Sequence, residues 1–172
     1  AGYHGVCLDP ALNEIEKNLS LAPLLKHFGL ECMVNVFPYR LDELQPLLDM
    51  SLELDAAQVN IVGGVMPISS KEIAEVVSSW MELAKKYPFP VYFETHRSST
   101  LNDLYSTLEV IDLVPDLKLC ADLSHFVVDR EFHLPLEKQD QEFISRILLQ
   151  SESFQGRVAS NEQIQISIDF PQ

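Results

Sequence analysis

The fold is decided by the stretch Ala57-Gln58-Val59-Asn60-Ile61-Val62, which runs into Gly63-Gly64 and continues through a helical segment to Val91-Tyr92-Phe93-Glu94. Both ends of this stretch are short apolar runs of the length typical of buried strands. Between them, Ser69 and Glu72 have the spacing of a capping box, and an apolar stripe at helical spacing follows. The stretch therefore predicts a strand, a helix and a second strand.

The same alternation recurs on both sides of this stretch. Further strand candidates are Gly5–Leu8, Cys32–Phe37, Leu117–Ala121 and Phe154–Val158, with helical segments between them. Strands separated by helices indicate a parallel sheet, because parallel neighbours cannot be joined by tight hairpins. Two architectures satisfy this pattern, an open doubly wound sheet and a (β/α) barrel. The glycine fingerprint of the open nucleotide-binding fold is absent after the first strand candidate.

Composition limits the class of protein and its partners. The chain has 172 residues, 47% of them hydrophobic, and a net charge of −14 from 12 basic and 26 acidic side chains. This length and hydrophobicity predict one folded domain over residues 1–172. Because gripping a nucleic-acid backbone needs clustered Lys and Arg, we expect no nucleic-acid partner.

The apolar runs and the cysteines indicate a location. No run approaches the roughly 20 apolar residues that span a bilayer, so we expect no membrane partner. The first residues lack the basic and apolar regions of a signal peptide. The three cysteines, Cys7, Cys32 and Cys120, are far apart and lie in apolar runs, which predicts free thiols in a reducing, cytoplasmic compartment.

Two of the apolar runs end in a carboxylate, and these residues carry the predicted chemistry. Glu94 follows Val91-Tyr92-Phe93, and Asp122 follows Leu119-Cys120-Ala121. Carboxyl ends of neighbouring parallel strands, about 4.8 Å apart, are where sites form in this class of fold. With His96 and His125 close behind, the two acids predict a site for one divalent cation. Taken singly, each acid could instead pair with a nearby arginine.

These residues also resemble a known family. The strings Val91–Arg97 (VYFETHR) and Ala121–His125 (ADLSH) resemble the xylose-isomerase-like sugar phosphate isomerase/epimerase superfamily, which shares its barrel with the endonuclease IV group. Residues 1–6 resemble the family's segment entering its second strand, and residues 154–158 resemble its seventh strand. The Glu94 motif and the Asp122-x-x-His125 motif are the most specific parts of this similarity.

The resemblance implies a TIM (β/α)8-type barrel that holds one divalent metal, which is Mn²⁺, Mg²⁺, Co²⁺ or Zn²⁺. It implies Glu94 and Asp122 as metal ligands, with Glu94 also acting as the acid/base catalyst. His125 would contact substrate oxygens, and His96 and Arg157 are further candidates for substrate binding. Where the family usually has a histidine ligand on its seventh strand, this sequence has Gln155, a weaker ligand for transition metals.

Measured against that family, the barrel is expected to be incomplete. Strands two to seven are assigned here, and strands one and eight are missing, because a full barrel takes about 250 residues. The second catalytic glutamate of the family would lie on the missing eighth strand. Since an open arc exposes sheet edges, we expect a fragment of a longer protein, a homo-oligomer, or completion of the barrel by missing segments.

Together, these features predict a metal-dependent isomerase or epimerase of a small carbohydrate, which would be a sugar, a sugar phosphate or a polyol-derived substrate, reacting through an enediolate. The alternative is a degenerate barrel that binds a ligand or partner without turnover, which Gln155 and the missing strands favour. An abasic-site nuclease shares the resembled fold, but the charge of −14 opposes approach to DNA.

Overall fold

The computed structural model describes residues 2–167 and residue 169, which form an α/β fold of alternating strands and helices. Ala1, the first residue of the segment compared with the family's second strand, lies outside the described residues. The strands are β1 (Gly5–Leu8), β2 (Glu31–Val36), β3 (Gln58–Ile61), β4 (Val91–Glu94), β5 (Leu119–Ala121) and β6 (Ser151–Phe154). The helices are α1 (Ile15–Leu19), α2 (Ala22–Phe28), α3 (Leu44–Glu53), α4 (Ser70–Ala84), α5 (Leu104–Leu113), α6 (Leu123–Asp129) and α7 (Lys138–Leu149).

One open sheet contains all six described strands, which are parallel and lie in chain order from β1 to β6. The predicted α/β alternation and parallel pairing agree with this arrangement. The prediction of a TIM (β/α)8-type barrel is wrong for the described residues, because the sheet is a half-barrel. β1 and β6 each pair on one side only, whereas a closed barrel of that type needs eight strands.

The two faces of the sheet differ in chemistry. Residues on one face of each strand pack against the helices in a continuous apolar core, which includes Val34, Val59, Ile61, Phe93 and Leu119. The ring of Trp80 on α4 stacks on Phe93 from this side, with centroids 6.5 Å apart. Because side chains alternate along a strand, the residues between them lie on the opposite, concave face. That face carries polar side chains from several strands.

The sheet is strongly curved around this concave face. The side-chain amide of Gln58 on β3 donates a hydrogen bond to the hydroxyl of Ser153 on β6, at 3.2 Å. The two strands are separated in the sheet by β4 and β5, so this contact spans the concave face. The curvature brings the strand ends into one cluster.

Local signals set several element boundaries. Ser69 caps α4 in a capping box with Glu72, as the spacing predicts. The last strand differs from its prediction, because β6 ends at Phe154 and does not extend to Val158. Its partner β5 ends at Ala121, and the last bond between them joins the amide of Gln155 to the Ala121 carbonyl at 3.0 Å. Within the described ranges, no helix combines the length and apolar character needed to cross a membrane.

Candidate metal centre

Two buried carboxylates stand at the carboxyl ends of β4 and β5. Glu94 is the last residue of β4 and is 3% exposed, and Asp122 directly follows β5 and is 0% exposed. In the register of the two strands, Glu94 lies opposite Cys120. Asp122 is therefore two residues further along its strand direction than Glu94, and the two acids are not at the same level of the sheet. Both acids still belong to the same end of the sheet.

A chain of polar side chains crosses the concave face and ends at Glu94. The amide of Asn35 on β2 donates to Oδ1 of Asp9 at 2.8 Å, and the amide of Asn60 on β3 donates to Oδ1 of Asn35 at 3.1 Å. Asn60 also donates to Oε2 of Glu94, which receives a second amide contact from Gln155 at 3.4 Å. One oxygen of Glu94 is thus held by two amides, while Oε1 forms no hydrogen bond with any described residue.

Asn35 and Asn60 were not identified from the sequence as site residues. Each interrupts an apolar strand, in Met33-Val34-Asn35-Val36 and in Val59-Asn60-Ile61. Asparagine is depleted in strands, so its presence in the middle of a buried one is a signal that could have identified both residues. In the structure Asn60 is 0% exposed and lies opposite Asn35 in the register of β2 and β3.

Asp122 is held by a different set of partners. Its Oδ1 accepts hydrogen bonds from the backbone amide of Ser124, at 3.1 Å, and from the Ser124 hydroxyl, so it caps α6. Its Oδ2 lies 2.8 Å from Nε of Arg157 and 3.4 Å from Nε2 of His125. Neither nitrogen meets Oδ2 with hydrogen-bond geometry, so this buried oxygen has ionic neighbours but no donor aimed at it. The hydroxyl oxygen of Thr95 accepts a hydrogen bond from the backbone amide of Asp122 at 3.0 Å, which fixes the Asp122 backbone.

The two histidines lie against each other beside these acids. Their ring centroids are 4.0 Å apart. Nδ1 of His96 contacts the carbonyl oxygen of Arg97 at 2.5 Å. Because a carbonyl only accepts hydrogen bonds, Nδ1 carries the proton in this contact and Nε2 presents its lone pair. His125 is 2% exposed, and neither of its ring nitrogens has a hydrogen-bond partner in the described part of the chain.

Burial and neighbouring charges shift the protonation of the site. Burial raises the pKa of Glu94, the hydrogen bond from Asn60 lowers it, and the charge of Asp122 raises it further, with a net upward shift. Burial, followed by the proximity of His125, lowers the pKa of His96. Burial alone would raise the pKa of Asp122, but contacts with His125, Ser124 and Arg157 outweigh it and lower the pKa. Asp122 is therefore the anionic member of the pair, and Glu94 is shifted towards neutrality.

The ligand atoms that converge belong to Glu94, His96 and His125, and they lie within 4.8 Å of one another. These three residues form a possible metal-binding triad. The family resemblance predicts Glu94, Asp122 and Gln155 as metal ligands, and His96 and His125 as substrate-binding residues. In the structure Asp122 is paired with Arg157, and Gln155 directs its amide nitrogen at Glu94. Ligand roles for Asp122 and Gln155 stay predictions.

The chemistry of this triad fits a divalent cation. A carboxylate and two neutral imidazoles are a common ligand set for such ions. Buried polar groups are normally hydrogen-bonded, whereas His125 and Oδ2 of Asp122 lack correctly aimed partners among the described residues. A cation would satisfy the imidazole and compensate the buried acids. The chain matches no protein-family model and no curated protein sequence.

Proposed function

We propose that the protein is a divalent-metal-dependent isomerase or epimerase of a small carbohydrate. The observation that carries this proposal is the convergence of Glu94, His96 and His125 next to the Asp122–Arg157 ion pair, all at the carboxyl end of the sheet. The resemblance of VYFETHR and ADLSH to the sugar phosphate isomerase/epimerase family supports the same reaction class. Glu94, His96 and His125 would hold the metal.

The two imidazoles bear on the choice of metal. Imidazole suits Zn²⁺, Co²⁺ and Mn²⁺ better than Mg²⁺, which prefers oxygen ligands and retains its waters. Among the four cations considered, we therefore favour the transition metals. When bound, the cation would polarise a substrate carbonyl and stabilise the negative charge that develops on its oxygen.

Glu94 is the residue of this chain suited to move a proton. Its Oε2 is fixed by Asn60 and Gln155, and Oε1 is left available. In the metal-free protein burial raises the pKa of Glu94, and a bound cation would oppose that shift, so the proposed role rests on the available oxygen Oε1. Glu94 would take the proton from the carbon next to the substrate carbonyl at Oε1 and return it to the neighbouring carbon or to the opposite face.

Arg157 and Asp122 would orient the substrate. Nε of Arg157 lies 2.8 Å from Oδ2 of Asp122, which holds the guanidinium group beside the metal centre by charge attraction, and the side chain is 33% exposed. The remaining guanidinium donors can bind substrate oxygens bidentately. Asp122 also fixes Ser124, whose backbone belongs to the first turn of α6. Neither Arg157 nor Ser124 belongs to the proposed metal ligands, so the substrate and the metal would be bound by separate residues.

A second candidate function is a binding module without turnover. Gln155 favours it, because its amide nitrogen is a donor to Glu94, and a donor nitrogen cannot ligate a cation. For either candidate function we propose a cytoplasmic location and association of copies through the sheet edges. The free thiols of Cys7, Cys32 and Cys120 suit the reducing compartment.

Calorimetric titration with Zn²⁺, Co²⁺, Mn²⁺ and Mg²⁺ tests the metal site directly. We expect Zn²⁺ to bind to the wild type, and Glu94→Gln or His125→Asn to weaken it by tenfold or more. The controls Glu75→Gln and His27→Asn, both exposed helix residues, should bind as the wild type does. Equal binding by site variants and controls would reject the metal site.

A screen of aldoses, ketoses, their phosphates and their alkyl- or aryl-substituted derivatives with the metal-loaded protein then separates the two functions. Product formation that is lost in Glu94→Gln supports the enzyme. Metal binding without turnover of any substrate in the screen favours the binding module.

A further inference from the structure

A cavity of about 920 Å³ opens beside the Asp122–Arg157 pair. It is bounded by α6, the loop after it, Ile144 in the middle of α7 and the segment after β6. Ser124 and Arg157, which both contact Asp122, also line this cavity. The cavity is therefore continuous with the site rather than a separate depression.

More of the cavity wall is apolar than polar in surface. Seven of its side chains are large and apolar, and they are Leu123, Val127, Phe132, Leu134, Leu136, Ile144 and Ile166. The volume is within the range of about 300–1,000 Å³ that encloses a small organic molecule. A small sugar or sugar phosphate would leave these apolar walls in contact with water. Binding would then gain no free energy from removing apolar surface from water. The walls fit a ligand with an apolar body.

The charged groups define where a polar head would sit. Arg157 uses Nε for Asp122, and its other guanidinium nitrogens form no hydrogen bond with any described residue. Among the residues that the structure describes, Arg157 is the one lysine or arginine on the cavity lining, whereas Glu162, also on the lining, is exposed to solvent. A planar guanidinium with free donors matches a carboxylate or similar oxyanion. The head of the ligand would thus lie at Arg157 and its body in the cavity.

We propose that this cavity binds a small anionic amphiphile, with an oxyanion head at Arg157 and an aliphatic or aromatic body against the apolar walls. Identifying this ligand as the substrate rests on the proposed function. Binding itself depends only on the cavity and Arg157. If both hold, the enzyme acts on an oxygenated head that carries an apolar group, not on an unsubstituted sugar.

A series of straight-chain ligands tests the cavity in metal-free protein with a chelator present. Calorimetry or ligand-observed NMR is used with butyrate, hexanoate and octanoate. Each buried methylene contributes about 0.8 kcal/mol, so we expect affinity to rise roughly tenfold for each two methylenes. Octanol and gluconate, which lack the charge and the apolar chain respectively, should each bind at least tenfold more weakly than octanoate. Affinity independent of chain length, or octanol as tight as octanoate, would overturn the proposal.

Two variants on α7 provide a matched pair. Ile144 lines the cavity, whereas Leu149 is 85% exposed on the same helix and does not. We expect Ile144→Ser to weaken octanoate binding severalfold and Leu149→Ser to leave it unchanged, and equal effects would contradict the proposal. If Ile144→Ser loses its circular dichroism signal, the chain-length series on the wild type decides. Octanoate binding without any metal binding would reject the metal centre while retaining the cavity.

Discussion

The side-chain amide of Asn60 on β3 donates a hydrogen bond to Oε2 of Glu94 on β4, and both side chains are almost completely buried. The two residues are not directly opposite each other, because Asn60 pairs in register with Tyr92. The contact is therefore diagonal across the sheet, and it aims the carboxylate towards the histidines. It also favours the charged form of Glu94 against the effect of burial.

Replacing Asn60 by alanine should affect both stability and metal binding. Asn60→Ala leaves the half-buried oxygen of Asn35 without its donor and removes the shorter of the two amide contacts to Glu94, which costs about 1–3 kcal/mol of unfolding free energy. Because the variant also favours protonated Glu94, Zn²⁺ affinity at neutral pH should fall. Urea unfolding and calorimetry measure the two effects, and Asn13→Ala, at an exposed position, is the control. A variant as stable as the wild type would contradict this role.

Replacing Glu94 by glutamine should stabilise the metal-free protein. A group whose pKa is raised on folding contributes stability that is present below its ordinary pKa, 4.5 here, and lost as pH rises through the raised value. At neutral pH the buried charge is thus unfavourable. Glu94→Gln removes it while keeping an oxygen to accept from Asn60, and we expect a gain of about 1 kcal/mol.

The pH dependence provides the check on this gain. Thermal unfolding in chelator should show a higher Tm for Glu94→Gln at neutral pH, by about 2–4 °C. The difference should shrink as pH falls towards 4.5 and disappear below it, where wild-type Glu94 is protonated in both the folded and the unfolded state. A difference that stays constant with pH would mean that the charge of Glu94 is not its origin.

Replacing Gln155 by histidine should strengthen the metal centre. The Gln155 amide nitrogen lies 3.4 Å from Oε2 of Glu94, so a side chain here reaches the ligand set. Since imidazole binds transition metals better than an amide does, Gln155→His should raise Zn²⁺ affinity roughly tenfold. Gln45→His, on the exposed face of α3, should not change affinity. An equal or weaker affinity for Gln155→His would place position 155 outside the ligand set.

Gly63 couples the loop after β3 to the loop that carries His96. Its carbonyl accepts from the amide of Thr100 at 2.7 Å, and a Cβ at Gly63 would collide with the Thr100 hydroxyl and the Trp80 ring. We expect Gly63→Ala to lower stability by about 1–3 kcal/mol. Gly156→Ala, where no heavy atom lies within 4 Å of the added carbon, should be neutral in unfolding experiments. Similar unfolding free energies for the two variants would contradict this packing argument.

The sequence predicts the parts of the fold that depend on local pattern. The apolar runs ending in Glu94 and Asp122 are strands, and the Ser69–Glu72 capping box begins α4. These signals lie within a few residues of one another, so no tertiary information is needed. The same holds for the alternation that indicates a parallel sheet.

The site depends on contacts between distant segments, and its details could not be predicted in the same way. Whether His96 and His125 meet depends on how the loops after β4 and β5 turn, and the spacing of the sequence does not specify this. The pairing of Asp122 with Arg157 depends on where β6 ends, and a register shift between Leu119 and Cys120 moves that end. The family resemblance and the reaction stay predictions.

The hydrogen bond between Gln58 and Ser153 joins two strands that are not neighbours, and the curvature that permits it matters for the chemistry of the site. Laid flat, six strands would spread their ends over about 24 Å, too far for one ion or one small substrate to touch more than two or three of them. Bending of the sheet brings these strand ends close to one another. Sheet curvature is thus a functional parameter, and substitutions at Gln58 or Ser153, neither of which is a predicted ligand, can weaken the site by flattening the sheet that carries it.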